Sequence, residues 1–295
     1  TPELEQAWCS HHQVDSGMLE VGYGSSELLK MAAEAFLGPG KNLVTAQPTY
    51  EAPSRYGAVY DATTIRVPLD SQYRHDLRQM RAAVNDKTGM VYICNPNNPT
   101  ATVVSAEATR AFVDSMPPDI PVVIDEAYHH YVDDPSYASA IPLAQQGKAV
   151  VVMRTFSKIY GMAGLRMGYA VGRGDLISRM SAYKIWLNTN TLTVAAALAS
   201  LEDKEFVERN RKLNASARQF VEQQVTQMGL GYIPSQANFL MIDLKRDMGP
   251  VVGALRARNV FAGRPFHPLR QHLRVTVGTM EEMKRLVEEL RAIVG

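Results

Sequence analysis

Lys158 ends the segment Arg154-Thr-Phe-Ser-Lys158, which follows an apolar run and precedes Gly161, Gly164 and Arg166. A lysine at a strand end can be dehydrated enough to lower its pKa, and its neutral amine can then form an imine with a carbonyl compound. Thr155 and Ser157 supply hydroxyls, and Arg166 supplies a planar fork of donors suited to a phosphate. Taken alone, Lys158 reads as well as a solvated surface lysine beside a loop.

A second segment, Val122-Val-Ile-Asp125-Glu126-Ala-Tyr128, places a carboxylate at the end of an apolar run. A buried Asp there needs a cationic or hydrogen-bonding partner. A pyridinium nitrogen is one such partner, because an adjacent carboxylate keeps the ring protonated and able to accept electrons. Tyr128 stands where it can hydrogen-bond a phenolic oxygen on the same ring. Two other readings stay open for Asp125: an N-cap of a following helix, and an acidic strand end that binds magnesium. In Cys94-Asn-Pro-Asn-Asn98-Pro99-Thr100, two X-Pro bonds make a rigid loop that can present the Asn98 amide to a ligand, or simply a turn. Gly22-Tyr23-Gly24-Ser25-Ser26-Glu27 has the composition of a strand-to-helix turn, whose free N–H groups attract phosphate. Ser25 also suits an ordinary N-cap. The turn is neither a P-loop nor a dinucleotide fingerprint.

The elements that must position these groups follow from the hydrophobic pattern. Apolar runs predict strands at Met18–Val21, Leu43–Ala46, Thr64–Val67, Met90–Cys94, Val122–Asp125, Val150–Arg154 and Met167–Val171. Between them the spacing predicts helices at Ser25–Leu37, Leu77–Val84 and Ala106–Ser115. Unbroken apolar strands alternating with helices predict an α/β fold with a mainly parallel sheet covered on both faces. Its ligands gather at the carboxyl ends of the strands. Further on, helices are expected at Asp175–Trp186 and Thr193–Met228, the second carrying an i, i+4 pair, Glu208 with Lys212. The tail then predicts strand Phe239–Leu244, helix Met248–Arg258, strands Val260–Ala262 and Leu273–Val277, and helix Met280–Ile293. Two domains are expected: residues 1–190 as a large α/β domain, and residues 191–295 as a long linking helix with a small α+β domain.

Composition narrows the function. The 295 residues are 46% hydrophobic and 21% charged, with a formal net charge of +1. Those values are ordinary for a globular protein and leave no electrostatic footprint for nucleic acid or a membrane surface. Cys9 and Cys94 are the two cysteines, so neither a disulfide framework nor a CxxC metal pair is expected. No metal site is expected, and the cysteine usage fits a reducing cytoplasm. No apolar run approaches the roughly 20 residues that span a bilayer, and no signal-peptide pattern opens the chain.

Phosphate turn, Pro48-Thr-Tyr50, Asn98-Pro, Asp125-x-x-Tyr128, Ser157-Lys158 and Arg166 occur in a fixed order that resembles the fold-type I pyridoxal-5′-phosphate (PLP) aminotransferases. The chain looks most similar to the histidinol-phosphate aminotransferase branch. Asn95-Pro-Asn-Asn-Pro-Thr, Asp125-Glu-Ala-Tyr, Arg154-Thr-Phe-Ser-Lys-Ile-Tyr-Gly-Met-Ala-Gly-Leu-Arg, Ser235-Gln-Ala-Asn-Phe and Leu273-Arg-Val-Thr-Val-Gly carry that likeness. The resemblance implies a three-layer PLP-binding domain, a homodimer, and ping-pong transfer of an amino group from a small-molecule donor to a 2-oxo acid. It implies that Lys158 is the Schiff-base lysine and proton shuttle and that Asp125 pairs with the pyridine nitrogen. Tyr128 and Asn98 would hold the ring oxygen, and Tyr50 would stack on the ring. Gly24, Ser25, Ser26, Thr155, Ser157 and Arg166 would form the phosphate site. Arg274 would bind the substrate carboxylate or an equivalent anion, with Arg264 as a second anion contact; Asn188 and Asn238 match positions near the substrate. An arginine of either kind also reads as a surface ion pair. Tyr23, Trp186 and Phe266 are candidates for apolar pocket surface.

The chain departs from this pattern in two places. The family has an N-terminal arm that reaches the partner subunit, whereas here the phosphate turn begins by residue 22, so the arm is expected to be missing or not included. Ala101 replaces the usual Gly after Pro99-Thr100, and because Ala tolerates positive φ poorly the loop is expected to differ there. Two rival functions share the motifs: a PLP-dependent decarboxylase of an amino acid phosphate, and a PLP-binding domain without turnover.

Overall fold

In the computed structural model, which describes residues 2–294, the apolar runs assemble into a seven-stranded sheet. Its strands are β1 (Leu19–Tyr23), β2 (Asn42–Gln47), β3 (Thr63–Pro68), β4 (Thr88–Cys94), β5 (Val122–Asp125), β6 (Val150–Thr155) and β7 (Met167–Gly172). They lie in the order β1-β7-β6-β5-β4-β2-β3, and β7 alone runs against its neighbours. β4, β5 and β6 are buried along their whole length. Both of their faces are covered, so they read as continuous apolar runs rather than as alternation.

Successive residues of β5 point to opposite layers. Val122 and Ile124 join a core formed with α1 (Pro2–His12), α4 (Leu77–Ala83), α5 (Ala106–Ser115), α6 (Ile141–Gln145) and α8 (Thr191–Glu202). Val123 joins the other core, with α2 (Gly24–Phe36) and α7 (Gly174–Ser181); α3 (Ala52–Val59) packs against α2. The result is the expected α/β architecture, a sheet between two helical layers. After it come α9 (Lys204–Gln227), β8 (Gly231–Ile233), β9 (Phe239–Asp243), α10 (Met248–Ala257), β10 (His272–Thr276) and α11 (Met280–Val294). The last three strands form an antiparallel sheet, β10-β9-β8, whose apolar face is covered by α9, α10 and α11.

Several expectations need correction. The long helix over Thr193–Met228 is two helices divided at Asp203, whose carboxylate accepts the Phe206 N–H at 2.9 Å and caps α9. The helix expected to reach Trp186 stops at Ser181, because carboxylates from the N-terminal unit capture the chain beyond it. Lys184 Nζ meets Glu20 Oε1 at 2.5 Å, and the Ile185 N–H donates to Glu27 at 3.3 Å. Val260–Ala262 is not a strand: the Val260 N–H donates to Leu255 at the end of α10, while β8 takes the place beside β9. The expectation that Ala101 would avoid positive φ is not met. Ala101 itself takes the left-handed φ of 60°, with its N–H bonded to Asn97 O at 2.7 Å and its carbonyl accepting the Gln236 N–H at 2.8 Å. Glu208 does pair with Lys212, at 3.3 Å, and also with Arg211.

Candidate active site

The carboxyl ends of β1, β2, β4, β5 and β6 emerge at one edge of the sheet, where the antiparallel β7 begins. Tyr50, Asn98, Asp125 and Lys158 follow or end four of those strands, Gly24 to Ser26 follow β1, and Arg166 precedes β7. They surround a cavity of about 700 Å³, lined also by Arg264, Phe266 and Arg274 of the C-terminal unit. One edge of one sheet therefore gathers groups scattered over 250 residues of sequence.

Lys158 Nζ lies 5.4 Å from the centroid of the Tyr128 ring, and the amine makes no hydrogen bond or ion pair among the described residues. Burial lowers its pKa, against the pull of Asp125, and Arg274 lowers it further. Both influences favour the neutral, nucleophilic form of the amine. Asp125 is buried, and burial pushes it up to about 6 against the Tyr92 hydroxyl, the Ala127 N–H and Lys158. The N-cap reading of Asp125 is half true. Its Oδ1 accepts the Ala127 N–H at 3.0 Å, but a turn and a short 3₁₀ helix, His129–Tyr131, follow rather than an α-helix. Its Oδ2 accepts the Tyr92 hydroxyl at 3.0 Å.

A polar cup lies beside them. Helix α2 starts at Gly24, one residue before the expected cap Ser25, so the N–H groups of Ser25 and Ser26 belong to its first turn and lack helical partners. Gly24 is needed for two reasons: its φ is +74°, and a Cβ there would collide with the Arg166 guanidinium. Gly168 likewise lets β7 approach the turn, since a Cβ would lie 2.6 Å from Ser25 N. Arg166 donates to Ala163 O at 2.9 Å and reaches the Ser157 hydroxyl at 3.5 Å, and the Thr155 hydroxyl donates to Ser157 Oγ at 2.9 Å. Helix end, hydroxyls and guanidinium together make a site for a dianion.

On the opposite wall, Arg274 Nη1 donates to Asn98 Oδ1 at 2.6 Å. Its guanidinium lies over Phe239 and Phe266, while its buried Nε has no partner. Arg264 also lies over Phe266, 4.4 Å from the ring centroid, and forms the ion pair anticipated for it, with Glu51 at 3.0 Å. That pair is exposed, so it is weak and readily exchanged for another anion.

Two sequence candidates stand apart from the cavity. Asn188 is held by Glu27 Oε1 at 2.5 Å in a neighbouring groove with Tyr23 and Lys30, and Asn238 is half-buried and does not line the cavity. Of the candidates for apolar pocket surface only Phe266 lines it. Trp186 is 83% exposed, on a loop where Ile185 and Leu187 are also exposed, and Tyr23 is half-exposed over Arg166. The sequence reading missed Tyr92, Glu51, and the buried pair Arg154–Glu126, at 2.8 Å, which anchors the start of the Lys158 loop to that of Tyr128. Tyr92 had a signal: it precedes Cys94 by two residues, so it shares that residue's face of the strand.

Comparison with known proteins agrees with this geometry. The description "Aminotransferase class I and II" matches residues 1–290. Histidinol-phosphate aminotransferase from Moorella thermoacetica is 36% identical over 294 residues, covering 99% of this chain and 76% of that protein. The enzyme of the same name from Symbiobacterium thermophilum is 39% identical over 277 residues, covering 93% and 76%. Among solved structures, histidinol-phosphate aminotransferase from Sinorhizobium meliloti in complex with pyridoxal-5′-phosphate superposes with a TM-score of 0.93 at 26% identity, covering 99% of this chain and 81% of that one. A family match over almost the whole chain, on a fold that brings a free, half-buried lysine, a buried aspartate and a dianion cup to one cavity, places the protein in the class I and II aminotransferases, a family of PLP-dependent transaminases.

Proposed function

We infer that the cavity binds PLP through Lys158 and transfers the amino group of a donor carrying an anionic tail, of the histidinol phosphate type, to a 2-oxo acid such as 2-oxoglutarate. The unpaired, half-buried amine of Lys158, which feels both Asp125 and Arg274 and lines one cavity with them and the dianion cup, is the observation that carries the reading. The chemistry of the donor set fits the cofactor. The cup suits its phosphate, the Asp125 carboxylate suits a protonated ring nitrogen, and Tyr128 and Asn98 can bond its ring oxygen, with Tyr50 against its face. When bound, PLP supplies the electron sink for the donor's Cα electrons and holds the amino group between the two half-reactions.

The chain's own residues do the rest. Lys158 Nζ would hold the cofactor and, once freed, would take the proton from the donor's Cα, a task suited to an amine whose pKa burial has lowered. Asp125 would pair with the ring nitrogen through a carboxylate already held in place, with no reorganisation needed as charge develops. Arg274 and Arg264, both over Phe266, orient the donor by its anion, Arg274 with the donors that Asn98 leaves free. Pairing with a second copy, implied by the family resemblance, would cover the exposed residues Ile185, Trp186 and Leu187.

A panel of amino donors assayed with 2-oxoglutarate tests the reading. Histidinol phosphate is expected to give the highest kcat/KM. Lys158→Ala is expected to lose the absorbance of the lysine-bound cofactor and at least 1000-fold in kcat, in line with loss of a nucleophile and base. Full activity in that variant would refute the assignment of Lys158.

A further inference from the structure

Tyr92 lies two residues before Cys94 on β4, on the sheet face that Asp125 shares, and it is fully buried. It does not line the cavity. Its hydroxyl donates to Asp125 Oδ2 at 3.0 Å while the Ala127 N–H donates to Oδ1 at 3.0 Å. These two bonds fix the plane of the carboxyl group. They also favour its charged form, since the neutral acid would have to give up an acceptor position to its own proton. The other groups that face Asp125 cannot replace the phenol. Lys158, from the loop after β6, attracts it without bonding to it; Glu126, its neighbour in sequence, repels it; and Cys94, Tyr50 and Tyr128 bear no charge at neutral pH and do not bond to it. Among the influences opposing burial, the Tyr92 bond is the largest.

We propose that Tyr92 is a positioning residue for the transamination: through its bond to Oδ2 it keeps the Asp125 carboxylate charged and aimed, so that the cofactor's ring nitrogen meets an oriented anion. This rests on the reading that the cavity binds PLP. Tyr92 acts on the reaction only through Asp125.

Tyr92→Phe removes one oxygen and keeps the ring. In carbon-13 spectra of the full chain stripped of cofactor, the Asp125 carboxyl, identified by its loss in Asp125→Asn, is expected to titrate near 6 in the wild type. In Tyr92→Phe the midpoint is expected about one unit higher. In the cofactor-loaded protein the acid limb of kcat/KM is expected to move up with it. Turnover at neutral pH should fall about tenfold with the donor KM nearly unchanged, the mark of an interaction made in the transition state. Site-specific 3-fluorotyrosine at position 92, a stronger donor, should move the midpoint the other way, and it decides the matter if the Phe variant does not fold. Midpoints that stay at the wild-type value in both variants overturn the proposal. Failure of the wild type to bind PLP or transaminate would instead refute the functional reading, while the cofactor-free titration would still decide whether Tyr92 governs Asp125.

Discussion

The two arginines of the cavity are chemically alike but differ in setting, and so should their variants. Arg274 is partly buried, bonded to Asn98 and stacked on two phenylalanines, and burial lowers its pKa. Removing it loses charge-assisted bonds to the donor's anion, each about 1.5–3 kcal/mol. Arg274→Ala should therefore reduce kcat/KM by about 10- to 100-fold, chiefly through KM. Arg264 is exposed and already paired with Glu51. Arg264→Ala should raise KM selectively for donors with a phosphate tail and leave thermal stability nearly unchanged, because exposed pairs contribute little. Equal losses for phosphorylated and non-phosphorylated donors would remove Arg264 from the anion site. At this scale the sequence was informative where a residue type is rare at its position, as with Lys158 after an apolar strand or Asp125 at the end of one. It was silent where function depends on a partner from another strand. Tyr92 reaches Asp125 only because β4 and β5 pair in the register Cys94 to Asp125, and a sequence does not carry register between strands.

Helices and strands were legible in proportion to how fully they are buried. β4, β5 and β6 are apolar throughout and were read close to their true ends, whereas β8, three residues and mostly half-buried, left no pattern to read. α3 and α6 are short, with one stabilising proline at each N-terminus rather than a periodic apolar face. The division between α8 and α9 was hidden because Asp203 sits in a continuous helical pattern, and only its capping bond to Phe206 N–H marks the break. α8 packs on the large sheet's core, through Val194 and Ala197, while α9 contributes Ala217, Val221 and Val225 to the C-terminal core. Asp203→Ala should cost about 1 kcal/mol, seen as a lower Tm, and Asp203→Asn should retain most of that stability. Equal losses in both would mean that the charge, and not the cap, matters at this junction.

Across the whole molecule, histidines kept neutral by burial set the response to acid. Burial lowers His12, His129 and His130 to about 3 and His75 to about 4, all from an ordinary value of 6.5. The unfolded chain binds these protons first, so the stability the histidines contribute is complete above pH 6.5 and is lost as pH falls towards 4 and then 3. Burial also lowers His11 and His272; Asp125, raised from 3.8 to about 6, and Glu222, likewise raised by burial, act in the opposite sense, two carboxylates against six histidines. Tm should be flat from pH 8 to 7 and fall steadily from 6.5 to 4.5; a constant Tm across that lower range would contradict the burial of these rings. The reversed strand β7 has a different consequence. Lys158 and Arg166 stand at the two ends of one hairpin connection, between β6 and β7, so the nitrogen proposed to anchor the cofactor and the guanidinium proposed for its phosphate are held at a set separation by a single loop. That loop works as a gauge of cofactor length. An analogue of PLP whose phosphate arm is one methylene longer should reach the cup or the lysine, but not both.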